Sequence, residues 1–311
     1  MTTSVITNVD TTGLSRPGWF SRALAGNALP VLIVSIAIII VWYAATIYMN
    51  ATMQVDQFER AGQEWSYGEL VAGTMSQERP LLPAPHQVIA EMTKTIFGKK
   101  ITSKRSLVYH SWVTLSSTLL GFAAGGLLGV LLATGIVHSK ALEKSLLPWI
   151  ISSQTIPILA IAPMVIVVLG AVGFKGLVPK AMISMYLGFF PVAISMVKGL
   201  RSPDVLQMDL LRTYNASRIQ VFGLLRWPSS MPFLFASLKI AVAISLIGSI
   251  VGELPTGAQA GLGARLLAGS YYGQTIQIWS ALFMAAFLSA CLVGLIGVVE
   301  RIVLHRMGAR Q

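Results

Sequence analysis

The sequence predicts an all-α integral membrane protein with about six transmembrane helices. Three observations predict it. Of 311 residues, 54% are hydrophobic and 11% charged, with a mean hydropathy of +0.70. A soluble domain carries about 25% charged residues, so this chain cannot cover a water-facing surface. Apolar runs of the length needed to cross a bilayer, about 20 residues each, fall near 29–49, 108–137, 146–169, 177–197, 233–252 and 277–299. The segments joining them are also unequal in charge. With the N-terminal tail placed in the cytoplasm, Arg16, Arg22, Lys140, Lys144, Lys198, Arg201, Arg212, Arg218, Arg226, Arg301, Arg306 and Arg310 lie inside, and the short outer loops hold only Lys175, Lys180 and Arg265. That is the positive-inside pattern, from which long loops are exempt. It assigns the net charge of +11 to membrane orientation rather than to nucleic acid, and it places both termini in the cytoplasm.

Taken in order, residues 1–28 are a polar cytoplasmic tail. The run 29–49 reads as an uncleaved first span, because its apolar core exceeds the 7–15 residues of a signal peptide. Residues 50–107 form an external segment of mixed charge. Within it "RPLLPAPHQV", Arg79 to Val88, carries three prolines and is expected to be extended or turning; a short helix is expected from Val88 to Phe97. The core spans 108–300 with five transmembrane helices, and 301–311 is a second cytoplasmic tail. In its first helix Gly121, Gly125 and Gly129 recur every four residues and so share one face. Small residues at that spacing let helices approach closely in lipid, within one subunit or between two. In "SSQTIPILAIAP", Ser152 to Pro163, two prolines interrupt the hydrogen-bond ladder and are expected to kink the span.

The most informative segment is the loop 199–232. Ser202 and Pro203 offer an N-cap and a first helical position. Asn215 is suited to the left-handed conformation that ends a helix. "SRIQ", Ser217 to Gln220, has the form of a capping box. Pro228 and Pro232 are expected to stop the second short helix before the fifth span. The reading is a doubly capped elbow on the cytoplasmic side, serving either as a surface-lying connector or as a docking element for a cytoplasmic partner.

Little in the chain suggests chemistry of its own. His86, His110, His138 and His305 are far apart, no H-E-x-x-H or cysteine cluster occurs, and Cys291 is the single cysteine. There is no G-x-x-x-x-G-K-[ST] phosphate loop. No Asp or Glu falls inside the apolar runs, so no proton or sodium relay is evident; Lys239 can snorkel to an interface. Uphill transport would then draw energy from another polypeptide. Candidates for a translocation path are Gln154, Thr155 and Pro157, with Ser184, Tyr186, Ser245 and Ser249; for each, the competing role is helix–helix hydrogen bonding. Glu253 either contacts an external protein or caps a helix end.

Several stretches resemble one family. "LPAPHQV", "TIPILAIAPMVIVVLGAVG" (Thr155 to Gly173), "FFPVAISMVKGLRSPD" and "GLGARL" are similar, in this order, to segments of ABC importer permeases of the nitrate/sulfonate/taurine type. The likeness covers about 80–311. The elbow resembles the family's coupling loop: Asp209 stands where the family has Glu, Leu210 and Leu211 at the Ala-type positions, and Asn215 for Gly. Ala216 and Ser217 follow, and Phe222 and Pro228 fall where the family has Phe and the closing Pro. The resemblance implies a MetI-like permease fold in a bacterial inner membrane. It also implies ATPase subunits gripping the coupling loop (Asp209, Arg212, Asn215, Ala216, Ser217, Arg218, Phe222, Pro228), a periplasmic binding protein delivering solute, which is then the external protein that Glu253 would contact if it does not cap a helix end, a second permease copy and no cofactor on this chain. The alternative is a secondary carrier or channel working without an ATPase. Similar permeases carry sulfonates, nitrate or small heterocycles; the lack of a cation at mid-membrane favours a neutral or aromatic solute.

Overall fold

The computed structural model describes residues 28–255 and 260–308. The tail 1–28 and the C-terminal residues 309–311 lie outside the described residues, apart from Ala28 itself. The chain divides into two compact units, Met1–Gln77 and Glu78–Gln311.

In the first unit α1 runs Ala28–Ala61, well beyond the expected end at residue 49. Its residues 31–41 are almost all apolar and exposed, Val41 at 66%. Its length and composition are those of a helix able to cross a membrane. The second half of α1 turns polar and pairs with α2, Tyr67–Ser76. Asn50 donates from Nδ2 to the Thr74 carbonyl (3.4 Å), and Gln77 Nε2 donates to Gln54 Oε1 (2.8 Å). The start of α2 is fixed by a capping box. The Ser66 N–H donates to Glu69 Oε2 (2.8 Å), and the Glu69 N–H donates to Ser66 Oγ (3.4 Å). The Ser66 N–H and the Ser66 hydroxyl (3.0 Å), both donating to Glu69 Oε2, hold that carboxyl below the usual carboxylate range.

In the second unit α3 is Pro85–Ile96, starting three residues before the expected Val88. Proline suits the first helical turn because its missing N–H has no partner there anyway. Five further elements build the bundle core: α4 Leu107–His138, α5 Lys140–Ser153, α6 Ile158–Ala171, α7 Leu177–Leu200, and, after the elbow, α10 Trp227–Glu253. The elbow itself contains α8, Val205–Thr213, and α9, Arg218–Val221. Then follow α11, Leu262–Tyr271, and α12, Thr275–Arg306.

The three glycines of α4 decide how the core packs. A Cβ placed on Gly121 would lie 2.4 Å from Ser184 Cβ, on Gly125 2.9 Å from the Met185 carbonyl oxygen, and on Gly129 2.7 Å from that of Phe189. All three abut α7, so α4 and α7 meet backbone to backbone within one subunit. Ser184 also reaches α10: its Oγ donates to the Ser245 carbonyl (2.8 Å) and Ser245 Oγ donates to the Ser184 carbonyl (3.3 Å), tying α7 to α10. Ala133, Ile136, Val192, Met196, Leu200 and Ala241 fill the space among these helices.

Two expectations are corrected here. The third apolar run, 146–169, is not one kinked helix: α5 and α6 bend by 101° at a break between Ser153 and Ile158. Pro157 causes it, since it lacks an N–H and drives Ile156 out of the helical region. Pro163, by contrast, sits inside α6 without breaking it. Among the described residues five helices are thus long and apolar enough to cross a membrane, or six if the bent pair counts as one span. The second correction concerns Pro228 and Pro232, which do not stop the elbow's second helix. From Arg218 to Glu253 the chain is one helix of 36 residues. A wide π-turn over Phe222–Arg226, closed by the Trp227 N–H on the Phe222 carbonyl, absorbs the register change just before Pro228.

Candidate functional site

Two places carry polar detail that packing alone does not require, and they lie at opposite ends of α7 and α10. The first is the elbow. Its first helix is capped by Asp204, which accepts from the Leu206 N–H (3.4 Å), rather than by Ser202. The Ser202 hydroxyl instead donates to the Gly199 carbonyl (2.8 Å), closing the end of α7. After Tyr214 the chain turns left-handed at Asn215, with φ of 53°. There the Asn215 N–H donates to the Arg212 carbonyl (2.9 Å) and the Ala216 N–H to the Leu211 carbonyl (3.0 Å). These are the paired bonds of a Schellman ending. The next residue restarts the helix: the Ser217 N–H donates to Gln220 Oε1 (2.7 Å) and the Gln220 N–H to Ser217 Oγ (3.3 Å).

A segment held this tightly nonetheless leaves its apolar side chains in the open. Leu206 is 78% exposed, Tyr214 77%, Ile219 84% and Leu224 71%. Asp209 and Arg212 pair with each other (2.9 Å) on the surface, a contact worth about 0.5 kcal/mol. Arg218 is exposed as well. Phe222 is the anchor: half-buried, its ring lies 5.3 Å from that of His138 on α4 and 6.0 Å from that of Trp227. Close by, Arg201 at the end of α7 pairs with Glu143 of α5 (2.9 Å).

The second place is a buried polar cluster that sequence reasoning missed. Lys180, placed above in an outer loop, lies inside α7 and is 6% exposed. Its ammonium is 3.4 Å from Glu253 Oε1 and donates to the Ala260 carbonyl (3.2 Å). Glu253 is fully buried at the end of α10 and also accepts from the Thr114 hydroxyl (3.0 Å) and the Gly263 N–H (2.8 Å). Thr114 accepts in turn from the Leu262 N–H (2.8 Å). His110 completes the set, accepting at Nδ1 from the Gly261 N–H (3.0 Å) and donating from Nε2 to the Lys104 carbonyl (2.9 Å). One ring nitrogen accepts and the other donates, which is the neutral imidazole. The glycines of "GLGARL" are explained by this cluster. At Gly261, with φ of 127°, a Cβ would fall 2.2 Å from Glu253 Cδ. Glu253 therefore closes a helix end from within and, being sealed from solvent, presents no face to another protein. Burying such a charge is costly unless it is paired and hydrogen-bonded, and here both conditions are met. A second intramembrane cation is paired too: Lys239 meets Glu300 of α12 instead of snorkelling alone.

Beside Lys180 opens a cavity of about 840 Å³. Its walls are the beginning of α4 (Tyr109, Trp112, Val113, Ser116), the end of α6 (Ile166, Gly170), the turn Phe174–Gly176 and the beginning of α7, with Ala260 at one edge. The path candidates named from sequence lie elsewhere. Gln154, Thr155 and Pro157 are exposed at the bend between α5 and α6. Ser184 and Ser245 are spent on the α7–α10 bonds, and the Tyr186 hydroxyl donates to the Ser153 carbonyl. The Ser249 hydroxyl is buried with no hydrogen-bond partner among the described residues.

Among the described residues, an all-helical bundle with long apolar spans and a capped elbow between two of them is the architecture of a multi-pass membrane protein. The family model described as "Binding-protein-dependent transport system inner membrane component" matches residues 125–308. A probable ABC transporter permease protein of Haemophilus influenzae is 30% identical over 72% of this chain and 86% of its own length. A formylaminopyrimidine transport permease protein of Halalkalibacterium halodurans is 31% identical over 62% of this chain and 72% of its own. A riboflavin transport system permease protein of Chloroflexus aurantiacus is 29% identical over 72% and 80%. The chain belongs to the binding-protein-dependent inner-membrane permease family, with the MetI-like fold. It is an ABC importer permease subunit, a transport component rather than an enzyme, and membership implies ATPase and binding-protein partners.

Proposed function

We propose that this permease is driven through the elbow Val205–Arg226, and that it carries a small uncharged heterocycle brought to its outer face by a binding protein. The observation that carries the first part is the combination of rigidity and exposure. Two N-caps, a Schellman ending and the Phe222 anchor fix the backbone, while Leu206, Leu210, Tyr214 and Ile219 stand out from it. A fixed apolar ridge suits a partner's groove. Because the second elbow helix runs unbroken into α10, a displacement at Ile219 is carried along 36 residues toward Glu253. A floppy loop would absorb the same push. In this reading the elbow and both termini face the cytoplasm, where ATPase subunits bind, and two permease copies form the path.

The solute class rests on chemistry and on likeness. Two relatives carry pyrimidine or flavin transport in their names. Lys180 and Lys239, both inside apolar helices, are each matched by a carboxylate, so neither offers a free positive charge to an oxyanion. The test is the double variant Asn215→Pro with Ser217→Gly, which removes the left-handed turn and the capping box together. In vesicles holding the complete transporter, ATP-dependent uptake is expected to collapse while the chain remains inserted. Uptake at the native rate would refute the elbow as the drive point.

A further inference from the structure

We infer that the cavity between the ends of α4, α6 and α7 is a binding subsite for an uncharged planar heteroaromatic ring, with Lys180 as its polar handle. The inference rests on the heterocycle reading above and deepens it by assigning a place. At about 840 Å³ the cavity falls within the 300–1,000 Å³ usual for small-molecule sites, which are mostly apolar with a few placed polar groups. Tyr109, Trp112 and Phe174 supply aromatic faces from three positions on its wall, and flat rings stack on such faces.

The polar side of the cavity is sparse and specific. The Lys180 ammonium has three protons. One faces Glu253 and one the Ala260 carbonyl, and the side chain is 8% exposed. The third is left for the cavity that Lys180 lines, where a ring nitrogen or carbonyl can accept it. Ser116 already donates its hydroxyl to the Val113 carbonyl (2.8 Å), so it offers an acceptor to a ring N–H. An oxyanion fits less well. It needs several converging donors to replace its water, and the charge of Lys180 is already neutralised by Glu253. Lys175 also lines the cavity, but its side chain is exposed and its charge is screened by water, so it offers an oxyanion no desolvated partner.

Gly170 makes the proposal testable without disturbing the packing. It lines the cavity, and a Cβ there would meet nothing within 4 Å. Gly294 of α12 has equally open space and does not line the cavity, so it serves as the control. The purified full chain in lipid nanodiscs is dialysed to equilibrium against riboflavin, 4-amino-2-methylpyrimidine, taurine or nitrate. At least one of the two heteroaromatic probes is expected to bind. Gly170→Phe should weaken that binding tenfold or more, and Gly294→Phe should leave it unchanged. The proposal is overturned if neither ring binds, if Gly170→Phe binds as the native chain does, or if taurine or nitrate displaces the ring competitively. No ATPase or binding protein takes part, so failure here leaves the elbow reading standing. Failure of the elbow variant to uncouple leaves this measurement unaffected.

Discussion

Replacing Glu253 with alanine tests the buried cluster most severely. The substitution removes the acceptor for Lys180, for the Thr114 hydroxyl and for the Gly263 N–H in one step. Glu253 is 0% exposed and the Lys180 side chain 8%, so water entering from the cavity can replace only a small part of the lost interaction. Removing one partner of a buried ion pair costs about 3–5 kcal/mol, because the other charge stays buried and unpaired. At about 1.4 kcal/mol per tenfold, that is a hundredfold or greater shift in the folded population. Replacing both residues, as in Lys180→Met with Glu253→Gln, should be far milder: the glutamine oxygen still accepts from Thr114 and Gly263, and no charge is stranded. The assay is reversible unfolding in bicelles for the two single variants, the double variant and the native chain. A Glu253→Ala loss below about 0.5 kcal/mol, the size of an exposed pair, would mean that the ammonium is hydrated. The description of the cluster as sealed would then be wrong.

Two further outcomes follow from packing and capping. Gly121→Leu drives a side chain into Ser184 and the Ala181 carbonyl and should cost about 1–3 kcal/mol or separate α4 from α7; Gly126→Ala, whose Cβ meets only Leu238 at 3.7 Å, should be tolerated, as thermal unfolding would show. Glu69 is held below its ordinary range by the Ser66 bonds. Its contribution is therefore present above the unfolded carboxylate pKa and is lost as pH falls through the lowered folded value. Amide exchange at Glu69 should quicken in that acid window, and Glu69→Gln, which keeps the capping geometry, should remove the dependence.

How much was legible in the sequence depended on how local the cause was. The apolar runs, the left-handed Asn215 and the Ser217–Gln220 box are set by neighbours within four residues, and all could be read directly. Pro157 was readable as a disturbance, though not its size: a 101° bend depends on what the two halves pack against. Pro228 misled, because the rule that proline stops a helix ignores a preceding π-turn. The Lys180–Glu253–Thr114 cluster was invisible because its members are 73 and 139 residues apart. The available clue was Glu253 at the end of an apolar run followed by Gly261 and Gly263. A buried carboxylate leaves room only for glycine above it, and that inference needs the fold.

The central claim is that work enters this permease through a stiff elbow. Solute taken up per ATP hydrolysed, measured in vesicles holding the complete transporter, bears on it directly. For the Asn215→Pro, Ser217→Gly variant the ratio should fall toward zero while hydrolysis continues. A ratio equal to that of the native chain would contradict the account.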